Sequence, residues 1–166
     1  MSRKMVLWLV PLFLTLHNLE EALTMPAFIE KRNASVPGGL RQIVPPVTYR
    51  QFLTALVIIT VIPYLVVLVR PGRRWAEYLL VCLQVVMLIN VFAHSLMAIF
   101  LGGYTPGLVT ALLINLPFSL YLLRRAVSES WMSKKAVAWM FPLGILIHGP
   151  LLAGLMLLSV LITGGA

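Results

Sequence analysis

Five apolar stretches, each long enough to cross the hydrocarbon core of a bilayer, constrain this chain more than anything else in it. A membrane-crossing helix needs roughly 20 apolar residues, with a range of about 17 to 25. Residues 5–25, 52–69, 76–101, 107–123 and 136–162 meet that requirement. Only 11% of the 166 residues are charged and 60% are hydrophobic, whereas a soluble domain carries about 25% charged residues. So little polar surface leaves lipid as the main solvent, and lipid tolerates only backbones that satisfy their own hydrogen bonds. The sequence predicts an all-α, polytopic transmembrane bundle of about five helices, forming a single domain over residues 1–166. The last run contains Pro142 and Pro150 and is expected to be kinked or broken. No internal repeat is visible, so the inverted-repeat architecture of many transporters has no support.

The net charge of +8 raises the question of nucleic acid, and its distribution answers it. The basic residues cluster at the ends of the apolar runs, at Arg3-Lys4, Lys31-Arg32, Arg70 with Arg73-Arg74, Arg124-Arg125 and Lys134-Lys135. That is the pattern of topology signals facing anionic headgroups, and nucleic-acid binding is set aside. With the N-terminus inside, the inner side holds nine Lys and Arg (3, 4, 70, 73, 74, 124, 125, 134, 135) and the outer side four (31, 32, 41, 50). The rule that cytoplasmic connections are the basic ones then places the N-terminus inside and the C-terminus outside. A basic start before an apolar run also describes a secretory signal peptide. Glu20 and Glu21, however, occupy the end where small neutral residues should precede cleavage, so the run reads as a retained helix. The connection 26–50 carries Pro26, Pro37, Pro45, Pro46 and Gly38-Gly39, and is expected to be a structured loop at the outer interface. Cys82 is the only cysteine, which excludes an intrachain disulfide and any Cys-rich metal site.

Ionisable residues inside membrane helices cost about 2.5 to 3.5 kcal/mol each on insertion scales and commonly mark function. Here they are His17, Glu20 and Glu21 in the first helix, His94 in the third and His148 in the fifth, and these are all the histidines of the chain. At 1.5 Å per residue, Glu20 lies about 8 Å below the outer helix end, His17 about 12 Å, His94 about 10 Å, Asn115 about 12 Å and His148 about 15 to 20 Å. Although the helices alternate in direction, these groups fall in one half of the bilayer. His17, Glu20, Glu21 and Thr24 also share a helical face at i, i+3, i+4 and i+7, and Asn90 with His94 and Asn115 with Ser119 stand at i, i+4. Two adjacent carboxylates among imidazoles in a low dielectric can be reconciled by protonation or by a divalent metal ion. Imidazole suits zinc, iron or copper, and carboxylates complete mixed N/O sites. The plainer reading is interhelical hydrogen bonding, which suits His148 beside Gly149-Pro150 and the two asparagines best and the paired glutamates least.

These residues resemble a known group, the HXXEE-domain family of small bacterial and archaeal membrane proteins. The resemblance is carried by His17-Asn18-Leu19-Glu20-Glu21, by the isolated His94, and by Tyr104-Thr105-Pro106-Gly107, which matches the family's Tyr-x-Pro-Gly motif. It spans residues 17 to 107 and implies a site at His17, Glu20, Glu21, His94 and Tyr104 in a prokaryotic cytoplasmic membrane protein. The family is presumed enzymatic on its motifs, with no substrate named. A looser likeness connects the adjacent glutamates to intramembrane prenyl-protein proteases, but those carry an arginine four residues on, where Met25 stands here.

The expectation is therefore an intramembrane enzyme, metal-dependent through zinc or iron, that hydrolyses or isomerises a membrane lipid or other hydrophobic small molecule. Glu20 and Glu21 would supply a ligand and a general base, and His17, His94 and His148 ligands or proton carriers. Tyr104, above this cluster, would either donate to substrate or serve as an interfacial anchor. The alternative from another class is a proton- or cation-coupled transporter or binding protein that titrates the same carboxylates.

Overall fold

The computed structural model describes residues 1–35, 48–69 and 72–164. Among these the chain is helical, with no strand. Four helices are long and apolar enough to cross a membrane: α1 (Arg3–Ser35), α2 (Tyr49–Val69), α3 (Arg74–Leu101) and α4 (Leu108–Ser128). The last, α5 (Lys134–Thr163), bends by 46° between its two limbs and makes a fifth span if they are counted together. The bend falls between Leu146 and His148. Pro150 has no N–H for the Leu146 carbonyl four residues back, and its ring crowds that carbonyl, so the helix opens there.

The first helix differs from the expectation. It does not give way at Pro26 to an irregular loop; it continues to Ser35, with Pro11 and Pro26 inside it. Pro26 deprives the Ala22 carbonyl of its helical donor, and the Tyr49 hydroxyl donates to that same oxygen at 2.9 Å. A proline inside a helix is tolerable where a neighbouring helix repairs the broken bond, and α2 does so here. The remainder of the expected loop, residues 36–47, lies outside the described residues, as does Arg70.

The packing differs from that of a soluble protein in burying polar groups while leaving large apolar ones exposed. His17, Asn18, Gln84, Asn115 and Ser119 are buried, while Phe100, Leu161, Ile99 and Leu146 are among the most exposed side chains. Lipid rewards this arrangement, because hydrocarbon solvates Leu and Phe but offers a polar group nothing. At one end of the bundle Val6, Val10, Leu80, Val81, Val85, Phe118, Leu122 and Trp131 form a continuous apolar core. That end is tied by an Arg3–Glu77 ion pair and by Arg3 and Arg125 lying over the Trp131 ring. The other end holds the polar groups.

Candidate metal centre

The His17-to-Glu21 stretch lies on α1 facing α3 and the start of α4. His17 is almost completely buried, with 1% of its side chain exposed, against 12% for Glu21 and 13% for His94. Glu21 Oε1 stands 3.4 Å from His94 Nε2 and 3.9 Å from His17 Nε2. The two imidazole rings meet edge to face with centroids 5.1 Å apart. Across the described residues, His17, Glu21 and His94 form the group of His, Cys, Asp or Glu side chains able to hold a metal ion, with ligating atoms all within 4.8 Å of one another. The 77-residue separation of the two histidines is closed because α1 and α3 run antiparallel to α4 and share its N-terminal end.

The surroundings fix the orientation of the imidazoles. Thr110 donates its hydroxyl to the Gly107 carbonyl at 3.3 Å and meets His17 Nδ1 at 2.9 Å. With the hydroxyl proton directed to that carbonyl, Thr110 accepts from His17 Nδ1, the tautomer that leaves Nε2 with a free lone pair. The Asn90 amide is compatible with that tautomer, its Nδ2 lying 3.0 Å from His17 Nε2 and 2.9 Å from His94 Nε2. An outer partner that fixes tautomer and ring orientation is the usual accompaniment of a metal-binding histidine.

The two glutamates, adjacent in sequence, are treated differently. Glu20 accepts from the Tyr104 hydroxyl at 2.6 Å and the Val109 amide at 3.1 Å on Oε1, and from the Thr110 amide at 2.6 Å on Oε2. Val109 and Thr110 are in the first turn of α4, so Glu20 caps that helix from another chain segment, where free N–H groups and the helix dipole favour an anion. Its charge is met by the fold itself. Glu21 has no such donors among the described residues. Its partly buried carboxylate faces the two imidazoles, and an anion withdrawn from water is stable there only with a cation or a proton. Tyr104 thus serves Glu20 and does not join the trio; partial burial, together with the Glu20 carboxylate, raises its phenol pKa above the ordinary value.

His148 lines the same cavity as the trio but lies outside the ligating group. Asn115 is buried in a π-helical turn, Ala111–Asn115, that precedes Pro117, and neither of its amide atoms has a partner. The residues underrated by sequence reasoning are Asn90, Thr110 and Gly107. Gly107 adopts φ +83°, and a Cβ there would come within 2.7 Å of His17 Cε1, 2.9 Å of Glu21 Cγ and 3.0 Å of His94 Cε1. The turn therefore lays bare backbone directly against all three site residues. The Tyr-Thr-Pro-Gly signal did mark this position, as a turn, but nothing local shows what the glycine touches.

The trio opens onto a cavity of about 310 Å³ between α1, α2, α3 and α5. Leu14, Phe52, Ile59, Leu83, Val86 and Leu152 supply apolar wall, and His17, Asn18, Glu21, Asn90, His94 and His148 its polar groups.

The family described as "Protein of unknown function with HXXEE motif" matches residues 8–122, which include every residue of the trio and its supports except His148. Among curated proteins the chain is similar to the "Uncharacterized protein YrkK" of Bacillus subtilis (strain 168), at 32% identity over 108 residues. The aligned part covers 63% of this chain and 63% of that relative, so the likeness spans just under two thirds of the curated protein's length. No solved structure matches.

Proposed function

The chain belongs to the HXXEE family, and we propose that it is an intramembrane enzyme that uses a divalent metal ion to transform an amphiphilic lipid-like substrate. One observation carries this reading: two imidazoles and a carboxylate converge at the side of a largely apolar cavity between helices long and apolar enough to cross a membrane. Two nitrogens and one oxygen suit a zinc- or iron-like ion, and such an ion would compensate the charge of Glu21. Bound there, the ion would polarise a carbonyl or phosphoryl oxygen of the substrate.

The chain's own groups do the rest. Glu21 would give one carboxylate oxygen to the ion and keep the other to take a proton. Glu20 is spoken for, so its part is positioning: it holds the start of α4, and with it Gly107 and Thr110, against the imidazoles. His148 would face the substrate from the opposite helix. The cavity runs along α3 from Leu83 to Met97, about 21 Å at 1.5 Å per residue, and only its Asn90-to-Met97 portion is near the trio. That shape fits an amphiphile with its polar group at Glu21 and His94 and its chain among Leu14, Ile59, Leu83 and Val86. Both hydrolysis and isomerisation suit such a site.

Elemental analysis of the purified chain tests the reading. We expect about one divalent ion per chain, removable by chelator with a fall in melting temperature, as for any ligand that binds only the folded state. A chain that takes up none of zinc, iron, manganese or cobalt would end the metal reading.

The charge asymmetry supports a site in the outer half of the bilayer, where substrate would enter from the outer leaflet. In a background with Cys82 replaced, a cysteine at Gly103, where a side chain meets open space, should react with an impermeant maleimide on intact cells. One at Lys135 should react only after permeabilisation. The opposite pattern would turn the protein over and put the site in the inner leaflet.

A further inference from the structure

Asn90 stands one helical turn before His94 on α3. Its terminal amide touches both imidazoles through the same nitrogens that an ion would use, at 3.0 Å for His17 Nε2 and 2.9 Å for His94 Nε2. From those nitrogens to Glu21 Oε1 the distances are 3.9 and 3.4 Å. A tetrahedral ion with bonds of about 2.0 to 2.2 Å separates its ligand atoms by about 3.3 to 3.6 Å. Four of the six edges of such a tetrahedron are therefore on hand, at 2.9 to 3.9 Å, and they bracket that value, which makes the end of the Asn90 side chain a candidate for the corner that His17, His94 and Glu21 leave open.

With both imidazoles neutral and their Nε2 atoms unprotonated, the two lone pairs need a donor between them, because unsatisfied acceptors withdrawn from water are costly. The Asn90 NH2 group has two hydrogens and supplies one to each. Without an ion, it engages the two nitrogens that a cation would otherwise draw together. The amide is planar, and half a turn about its last bond exchanges Nδ2 for Oδ1 with no movement of the backbone. Oδ1 is a neutral oxygen donor of the kind that completes mixed N/O sites.

We propose that Asn90 is the fourth ligand of a divalent-cation site with His17, Glu21 and His94, its amide donating to the imidazoles when the site is empty and turning its oxygen inward when an ion binds. This rests on the metal reading above. A neutral amide oxygen is the weakest of the four ligands and the one a substrate oxygen can displace, so a site with four protein ligands still keeps an exchangeable position.

The test is titration of the purified full-length chain in detergent with Zn²⁺ and Co²⁺, comparing wild type with Asn90→Ala and Asn90→Asp. A ligand at the fourth corner predicts the affinity order Asp, then wild type, then Ala, with Asn90→Ala weaker by at least about tenfold. Asp has the shape of Asn and adds a negative charge at the same point. If Asn90 only occupies the empty site, it competes with the ion, and Asn90→Ala should bind as tightly as wild type or more tightly; that result overturns the proposal. Should Asn90→Ala fail to fold, judged by its melting without metal, Asn90→Asp decides alone: tighter binding supports the fourth ligand, and equal or weaker binding refutes it. A wild type that takes up no ion brings down the metal reading itself, and that outcome is seen before any variant is compared.

Discussion

Glu21→Gln should lose its divalent ion and its activity while still inserting and folding. The substitution keeps shape and volume, and it lowers the cost of placing the side chain in lipid. What it removes is the one anionic ligand of the trio His17, Glu21 and His94. Loss of a mere outer-shell partner costs about 10- to 100-fold in metal affinity, so loss of a direct anionic ligand should cost at least about a hundredfold. Chelator should lower the melting temperature of the wild type and leave that of Glu21→Gln unchanged, because the variant has no ion to lose. Glu20→Gln should behave in the opposite way. Its neighbours are three donors, the Tyr104 hydroxyl and the Val109 and Thr110 amides, and a glutamine must turn an NH2 toward at least one of them. A frustrated donor costs about 1 to 3 kcal/mol, and the helix dipole loses its anion as well. Glu20→Gln is thus expected to melt lower yet retain the ion. Equal loss of metal in both variants would make Glu20 a ligand and contradict the separation of roles.

His17→Ala and His94→Ala should each abolish ion binding, and the double variant should be no worse than either. Groups that act as a unit are non-additive, and these two present their Nε2 atoms to a shared amide and a shared carboxylate. In a double-mutant cycle read by metal affinity, the coupling should nearly equal a single variant's loss, at the upper end of the roughly 0.5–3 kcal/mol found for contacting residues or beyond it. Two histidines that merely pack would give stability losses that add, with metal content unaffected. His148→Ala should leave metal content unchanged and slow turnover, since His148 lines the cavity without joining the ligating group.

The apolar run lengths alone were enough to establish a polytopic helical membrane protein, because a bilayer admits few other backbones. The rarity of ionisable groups in those runs singled out His17, Glu20, Glu21 and His94, and helix rise put them at one depth. Depth and helical face follow from the periodicity of a single helix, and a sequence displays that directly. What each face meets does not follow. Only the packed bundle separated Glu20, which caps a helix that begins 88 residues later, from Glu21, which faces the imidazoles. Backbone N–H groups leave no mark in the residue alphabet, so the donors that satisfy Glu20 could not be read beforehand. The same holds for Pro26, a helix breaker by local rules, which is accommodated because Tyr49 from the next helix reaches the freed carbonyl. Gly107 and Asn90 complete the pattern: one is small because three side chains from two other helices leave no room for a Cβ, and the other is polar because it bridges two imidazoles distant in sequence. Both requirements are imposed by neighbours far along the chain, and they exist only once the helices are assembled.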